Sequence, residues 1–249
     1  KVFLLQRMAQ QRARTFFLIM GWSVLSGVAS EKRMHMAMNA VSEHLVQPED
    51  SVIKLLAPPF DKGKPDPGYI QAYVPGVREN GGQYTHAAVW SVMAFAALAD
   101  TERTWQLLAM LNPINHGSNP GSVALYKTEP YVLASDVYAL EPHAGRGGWT
   151  WYSGSAGWMY RLIVESVLGL RRCADKLSIE PCIPRDWTSY KINYRFGETA
   201  YLIEVLQHSD THASSRLLLD GVVQDSAFIA LVDDKAEHRV EAHFVVEKK

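Results

Sequence analysis

The sequence predicts a mainly α fold, an incomplete α/α barrel followed by a small antiparallel β-sandwich. Three observations carry that prediction. Apolar residues recur at helical spacing in paired segments over the first two-thirds of the chain, no strand-like runs separate those pairs, and beyond Arg172 the apolar residues alternate with polar ones. The expected division is 1–172 for the helical part and 173–249 for the β part.

Taking the elements in order, Lys1 to Gly21 contains the run from Phe16 to Met20 but is broken by Gln10, Gln11 and Arg12, so it reads as neither a signal peptide nor a membrane span. The chain opens without Met inside a helix-like pattern, and the expectation is a fragment of a longer polypeptide. Phe16 to Ala29 is apolar and rich in small residues, after which Ser30 is placed to cap a helix with Met34, Met38, Val41 and Leu45 on one face. Thr85 to Ala99 is apolar on nearly every side. Asp100 then caps a more amphipathic helix with Trp105, Leu108 and Leu111, which Asn112-Pro113 stops. A third buried segment runs from about Ser155 to Leu170.

In the tail, Tyr190, Ile192, Tyr194 and Phe196 alternate with polar residues, as do Val240, Ala242, Phe244 and Val246. Leu217 to Leu219, then Asp220-Gly221, then Val222-Val223 is a hairpin pattern, because Asp-Gly accepts the positive φ of a type I′ turn. The tail is expected to cover helices of the barrel rather than to supply chemistry.

The 249 residues are 47% hydrophobic, enough for a substantial core. Lys and Arg number 25 against 26 Asp and Glu, a net charge of −1 without blocks of one sign, which argues against nucleic acid or an anionic membrane as partner. Cys173 and Cys182 are too few for a disulfide framework and lack metal-ligand spacing, which fits a reducing, cytoplasmic compartment, including that of the soluble part of a larger inner-membrane protein.

Three loops stand out between the helices. Residues 57–82 hold Pro58, Pro59, Pro65, Pro67 and Pro75 together with Tyr69, Tyr73, Arg78 and Glu79. A loop of that length in a compact domain is usually functional or disordered. The second, 116–146, carries Lys127, Glu129, Tyr131, Asp136, His143 and Arg146; the third is Gly147 to Gly154, with Trp149, Trp151 and Tyr152 offering flat faces suited to sugar rings. His116 and His143 find no third ligand at metal spacing.

The run Pro75-Gly76-Val77-Arg78-Glu79-Asn80-Gly81-Gly82-Gln83-Tyr84-Thr85-His86 and the run Gly147-Gly148-Trp149-Thr150-Trp151-Tyr152-Ser153-Gly154-Ser155-Ala156-Gly157-Trp158 resemble signatures of glycoside hydrolase family 94. That family includes cellobiose and chitobiose phosphorylases and the C-terminal module of cyclic β-1,2-glucan synthases, and the resemblance extends from about Trp22 to Phe196. It implies an α/α six-hairpin barrel with a C-terminal β domain, and inverting phosphorolysis of a β-glucoside to α-glucose 1-phosphate. By match to the family motifs, His86, Ser153 and Gly154 are the implied phosphate-binding residues. Bottom-up reading agrees, since His86 opens an apolar helix and Ser153-Gly154 precede the buried segment at Ser155, where free N–H groups favour anions. The plainer roles, a core histidine and a simple N-cap, remain open for His86 and Ser153.

Arg78, Glu79, Gln83, Glu129, Trp149, Trp151 and Tyr152 are the implied sugar-binding residues. No cofactor or metal is implied; inorganic phosphate is the co-substrate and a β-glucan oligosaccharide the substrate. The family's general acid is an aspartate in a Trp-Asn-Asp-like motif upstream of the part matched here, and that motif is missing from this sequence. The chain is therefore expected to lack a catalytic residue of its own and to need the upstream half of the same polypeptide. Half a barrel would also leave an open apolar edge suited to self-association. Two alternatives stay open: a noncatalytic carbohydrate-binding or structural domain, and a glycosidase using Glu79 as acid.

Overall fold

The computed structural model describes residues 15–61, 66–209 and 214–245, so the helix-like opening before residue 15 and Val246 lie outside the described residues. The chain divides into two compact units, one ending at Leu162 and one beginning at Ile163. This division precedes the change of texture at 172, because Val164 and Leu170 already belong to the core of the second unit.

In the first unit, α1 (Phe17–Leu25) and α2 (Glu31–His44) make one helical pair, and α3 (Thr85–Ala97) and α4 (Thr101–Leu111) the next. Two short helices, α5 (Pro113–His116) and α6 (Pro120–Tyr126), precede α7 (Ser153–Arg161). The loops are tied down by two-residue strands: β1 (Thr15–Phe16), β2 (Val46–Gln47), β3 (Val52–Ile53), β4 (Leu56–Ala57), β5 (Gln83–Tyr84) and β6 (Asp136–Val137). β1 pairs with β4, β2 with β3 and β5 with β6, all antiparallel.

α3 is the centre of this unit and packs against α1, α4 and α7. Ala87, Ala88, Val89, Val92, Ala94 and Phe95 are all buried, as its all-round apolar sequence requires. On α2, Met38 and Val41 are buried, and Leu45 just beyond it is fully so. Ser30 does stand at the N-cap, with extended backbone, yet its side chain makes no cap hydrogen bond. Asp100 does cap α4: its Oδ1 accepts from the Arg103 N–H at 3.1 Å. The buried face of α4 is Thr104, Leu107, Met110 and Leu111, rotated by one residue from the expected Trp105, Leu108 and Leu111. Both sets have helical spacing, and the packing against α3 chooses between them. The expected helix from Ser155 to Leu170 is shorter and starts earlier, because α7 opens at Ser153 and gives way to a π-helical turn at Leu162–Val167.

Within the long loop, Asn80 acts as a staple. It is fully buried; its Oδ1 accepts from the Phe60 N–H at 2.6 Å, and its Nδ2 donates to the carbonyls of Phe60 and Tyr73, each at 2.8 Å. One side chain thus joins the backbone at Phe60 to that at Tyr73 across a Pro-rich segment.

The second unit contains β7 (Leu170–Cys173), β8 (Lys176–Ile179), β9 (Ser189–Phe196), β10 (Thr199–His208), β11 (Arg216–Leu219), β12 (Val222–Val223), β13 (Phe228–Ala230) and β14 (Glu237–Val245). Five strands form a sheet in the order β12-β11-β14-β10-β9, and three form another in the order β13-β8-β7. One apolar cluster draws on both, with Leu177 and Ile179 from β8, Tyr201, Ile203 and Val205 from β10, Ile229 from β13, and Val240 and Ala242 from β14. Tyr190, Ile192, Tyr194 and Phe196 pack against it from alternate positions of β9, as their period of two predicts. Asp220 and Gly221 both take positive φ, 51° and 79°, and join β11 to β12 as the Asp-Gly pair predicts.

The expectation of purely antiparallel pairing is corrected at the centre of the larger sheet, where β10 and β14 run parallel from Ala200 opposite Glu237 to His208 opposite Val245. Parallel neighbours need a long crossover, and the segment carrying β11, β12 and β13 supplies it.

His238 on β14 clamps two connections of this unit. Its Nδ1 lies 2.7 Å from Asp220 Oδ2 and its Nε2 3.1 Å from Asp234 Oδ2, while its ring leans on Tyr201. Asp220 also accepts from the Arg239 N–H and Asp234 from the Ala236 N–H. The hydrogen bond to Asp220, followed by that to Asp234, raises the His238 pKa above the ordinary value, and Asp220 and Asp234 are lowered, chiefly by those backbone N–H groups.

Two predictions follow from these contacts. Asn80→Ala should cost about 2–4 kcal/mol, because three buried or part-buried hydrogen bonds are lost, two of them to the Phe60 backbone. The check is a lowered melting temperature together with faster proteolytic cleavage inside 57–82. For His238 the folded pKa is the higher one, so its contribution is complete below the unfolded value of about 6.5 and is lost as pH rises through the folded pKa. Melting temperature should therefore fall across that window, and His238→Gln should flatten the fall; an unchanged slope would show that the clamp carries no linkage.

Candidate functional site

Two helix N-termini meet in the first unit. α3 begins at Thr85 with His86 as its second residue, and α7 begins at Ser153 with Gly154 as its second; the two helices are in contact. Neither N-cap residue, Tyr84 or Tyr152, makes a side-chain cap bond, so the first N–H groups of α7 lack the usual internal partner. A Cβ built on Gly154 would lie 3.4 Å from His86 Cε1 and 3.6 Å from its Nδ1, ordinary contact distances that place this turn directly against the imidazole. Ser153 precedes it with an exposed side chain. The structure thus brings His86 and Gly154 together across 68 positions of sequence. Because α7 starts at Ser153 and not at Ser155, Ser153 is its first residue and not its N-cap, which corrects that simpler reading.

His86 is held in an aromatic setting. Its ring stacks in parallel with Tyr84 at 6.3 Å and tilts against Trp90 at 4.8 Å and Trp158 at 6.0 Å. Its Nε2 is buried without a hydrogen-bond partner, and burial lowers its pKa below the ordinary value. Burial thus disfavours the cationic form of this imidazole.

Beside it, Arg78, Glu79, Tyr84, Ser135, Asp136, Trp149 and Tyr152 line a cavity of about 170 Å³. Tyr84 belongs to both neighbourhoods: it stacks on His86 and its hydroxyl is 3.3 Å from that of Tyr152. That hydrogen bond, reinforced by burial, holds the Tyr84 phenol far above its usual range. The Arg78 guanidinium lies over the rings of Tyr73 at 5.5 Å and Trp149 at 5.4 Å, which holds its charge in one place. Arg78 takes a left-handed backbone, φ 48°, which costs a non-glycine residue about 1 kcal/mol and accords with a position selected for where its side chain points.

Four of the seven residues expected to meet sugar, Arg78, Glu79, Trp149 and Tyr152, therefore line one cavity. Glu129 and Trp151 form a separate pair: the Trp151 indole N–H donates to Glu129 Oε1 at 3.1 Å, and its ring meets Tyr131 edge-on at 5.9 Å. Trp151 and Tyr131 are largely exposed, and the Glu129 pKa is lowered by its own backbone N–H and by the indole. Gln83 is different. It is buried, its Oε1 accepts from the Ile53 N–H at 2.9 Å, and its Nε2 faces Thr85 at 3.5 Å, so its amide ties β5 to β3 and is not among the cavity residues.

Among the weaker candidates, His143 and Arg146 are exposed loop residues, and His116 stacks on Tyr126 with its Nε2 against the Met110 carbonyl. Among the described residues no group of three or more His, Cys, Asp or Glu is placed to hold a metal ion, and no helix is long and apolar enough to cross a membrane. Sequence reasoning did not single out Tyr84 and Ser135. Tyr84 was legible as the residue two before His86 at the start of an apolar helix; Ser135 had no comparable signal, since only the pairing of β6 with β5 carries it to the site.

The sequence of this unit has counterparts in known proteins. Residues 6–169 match the model of the glycosyl hydrolase 94 superfamily catalytic domain. The chain is 50% identical over 188 residues to the cyclic beta-(1,2)-glucan synthase NdvB of Rhizobium meliloti (strain 1021), covering 76% of this chain and 7% of that protein. It is 31% identical to the N,N'-diacetylchitobiose phosphorylase of Vibrio proteolyticus, over 79% of this chain and 24% of the relative. It is also 29% identical to the 1,2-beta-oligoglucan phosphorylase of Listeria innocua serovar 6a, over 66% and 16%. The chain spans less than a third of the length of each of these curated relatives. With both signature runs folded side by side and two-thirds of the sequence matched, the chain belongs to the glycosyl hydrolase 94 superfamily.

Proposed function

We propose that this chain is part of a carbohydrate phosphorylase module that cleaves β-linked glucans, with β-1,2 linkage favoured, by inverting phosphorolysis. In this reading helices α1 to α4 and α7 belong to an α/α six-hairpin barrel, and the second unit is its β-sandwich companion. The observation that carries the reading is the convergence of His86 and Gly154 at the N-termini of α3 and α7 beside a cavity lined by Trp149, Tyr152 and two carboxylates.

Phosphate would sit at the helix ends. The Gly154 N–H, the Ser153 hydroxyl and the His86 ring supply donors, and both helix dipoles favour negative charge there. The sugar would sit in the cavity, its ring on Trp149 and its hydroxyls between Arg78, Glu79 and Asp136. A phosphate oxygen attacks the anomeric carbon from the face opposite the leaving oxygen, the glycosidic C–O bond breaks, and a general acid gives its proton to that leaving oxygen. Phosphate needs no strong base, so the task of this chain is to hold the nucleophile in line. The acid is assigned to a part of the polypeptide outside these residues. The upstream half of the polypeptide, a β-glucan oligosaccharide and phosphate are accordingly the partners proposed.

The isolated chain should release no glucose 1-phosphate from β-1,2-glucooligosaccharides and phosphate, since losing a general acid costs on the order of 100-fold or more. Turnover above a buffer control from pure chain would overturn the assignment of the acid elsewhere. For the anion site, sulfate is the suitable probe because it does not itself titrate near neutrality. Its affinity should rise as pH falls through the depressed pKa of His86, by roughly tenfold, and His86→Asn should abolish that dependence while leaving melting nearly unchanged. Equal pH dependence in both proteins would remove His86 from the anion site.

A further inference from the structure

His86 meets the N-terminus of α7 by one edge of its ring. Cε1 and Nδ1 lie 3.4 and 3.6 Å from a Cβ built on Gly154, so the Cε1–Nδ1 edge faces that turn. Its Nε2 is buried with no hydrogen-bond partner and is closed to water, hence to any ligand. Trp90 stands one turn further along α3, its ring 4.8 Å from the imidazole and tilted by 58°. Trp90 is in turn held edge-on by Trp22 and by Trp158, each at 5.4 Å, and Trp158 itself reaches the imidazole at 6.0 Å. Trp90 is not among the residues that line the adjoining cavity.

The polar atoms of this aromatic cluster decide where the imidazole proton sits. Trp90 Nε1 is also buried without a partner, and an indole N–H only donates. In the neutral form, which burial favours, His86 carries a single N–H. With that proton on Nε2, the two touching rings would bury two donors without acceptors and turn the Nδ1 lone pair toward the helix end, where it repels an anion. With the proton on Nδ1, one donor and one lone pair are buried, and the ring donates at the helix end. We infer that Trp90 is a positioning residue for His86, which presents Nδ1–H to an oxyanion at the N-terminus of α7 while Nε2 stays bare inside the aromatic cluster; the inference rests on the anion site proposed above. Two properties of Trp90 do this: the bulk of its ring fixes the imidazole, and its buried N–H selects the tautomer.

The experiment records the side-chain ¹⁵N resonances of His86 by long-range ¹H–¹⁵N correlation during a sulfate titration of the wild type, Trp90→Phe and Trp90→Leu. It is run at about pH 8, above the ordinary histidine pKa of about 6.5, so that the neutral tautomers are read. The free wild type should show a protonated Nδ1 and a bare Nε2, and sulfate should move Nδ1 far more than Nε2. Trp90→Leu should weaken sulfate binding about tenfold and mix the two tautomers. Trp90→Phe, which keeps a ring without the indole N–H, should mix them as well and fall between the two in affinity. A protonated Nε2 in the wild type, or a larger sulfate shift at Nε2 than at Nδ1, overturns the inference and leaves the anion site standing. An unmixed Nδ1–H tautomer in Trp90→Leu, or wild-type affinity for sulfate in that variant, overturns the role of Trp90. If neither His86 nitrogen responds to sulfate in the wild type, the anion reading fails and the inference with it. Should Trp90→Leu not fold, Trp90→Phe decides by the same two readings.

Discussion

The first unit depends on the burial of α3. A helix with Ala87, Ala88, Val89, Val92, Ala94 and Phe95 distributed around its circumference has no face that water can tolerate, so other helices must cover it. α1, α4 and α7 do so. Each fully buried Val or Phe side chain contributes about 1.5–3 kcal/mol, which makes this packing the dominant local term. Its consequence reaches the site, because the packing of α7 on α3 brings Gly154 against the His86 ring, where neither N-cap side chain makes a cap hydrogen bond. The corner proposed to hold an anion is thus positioned by hydrophobic packing.

The site then separates two electrostatic environments within a short distance. Around His86 the neighbours are aromatic rings and helix N-termini, with tryptophans where carboxylates could have stood. In the adjoining cavity Glu79 and Asp136 outnumber Arg78. Tyr84 spans the boundary, stacked on the imidazole and hydrogen-bonded to Tyr152, so the two environments are held in fixed register.

The second unit is held by different means. Its core is shared between two sheets, and the parallel pairing of β10 with β14 gives the larger sheet a central strand pair that no hairpin could make. The long crossover that this pairing requires is pinned at Asp220 and Asp234 by His238, and Thr199 joins the same network through Asp233 and Asp234. His238, Asp220 and Asp234 are partly exposed, so the contribution of their ion pairs is modest and sensitive to pH and salt. The apolar cluster carries the stability, and the polar clamp fixes the path of the connection.

Local sequence determined a good deal here, wherever the cause is local. The all-round apolar run of α3, the Asp100 cap, the period-two strand β9 and the Asp220-Gly221 turn were each legible, because spacing and backbone preference act over a few residues. The two signature runs also named His86, Gly154, Arg78, Glu79, Trp149 and Tyr152 in advance. What tertiary structure alone decided is which of these meet. It turned α4 by one residue, committed Gln83 to the Ile53 backbone, and paired Trp151 with Glu129 outside the cavity. It made β14 parallel to β10, and it set Ser135 and Asp136 against the cavity through the pairing of β6 with β5. Such outcomes depend on contacts between residues tens of positions apart, where two or more local solutions have equal propensity and only the total burial and hydrogen bonding of the folded chain separates them.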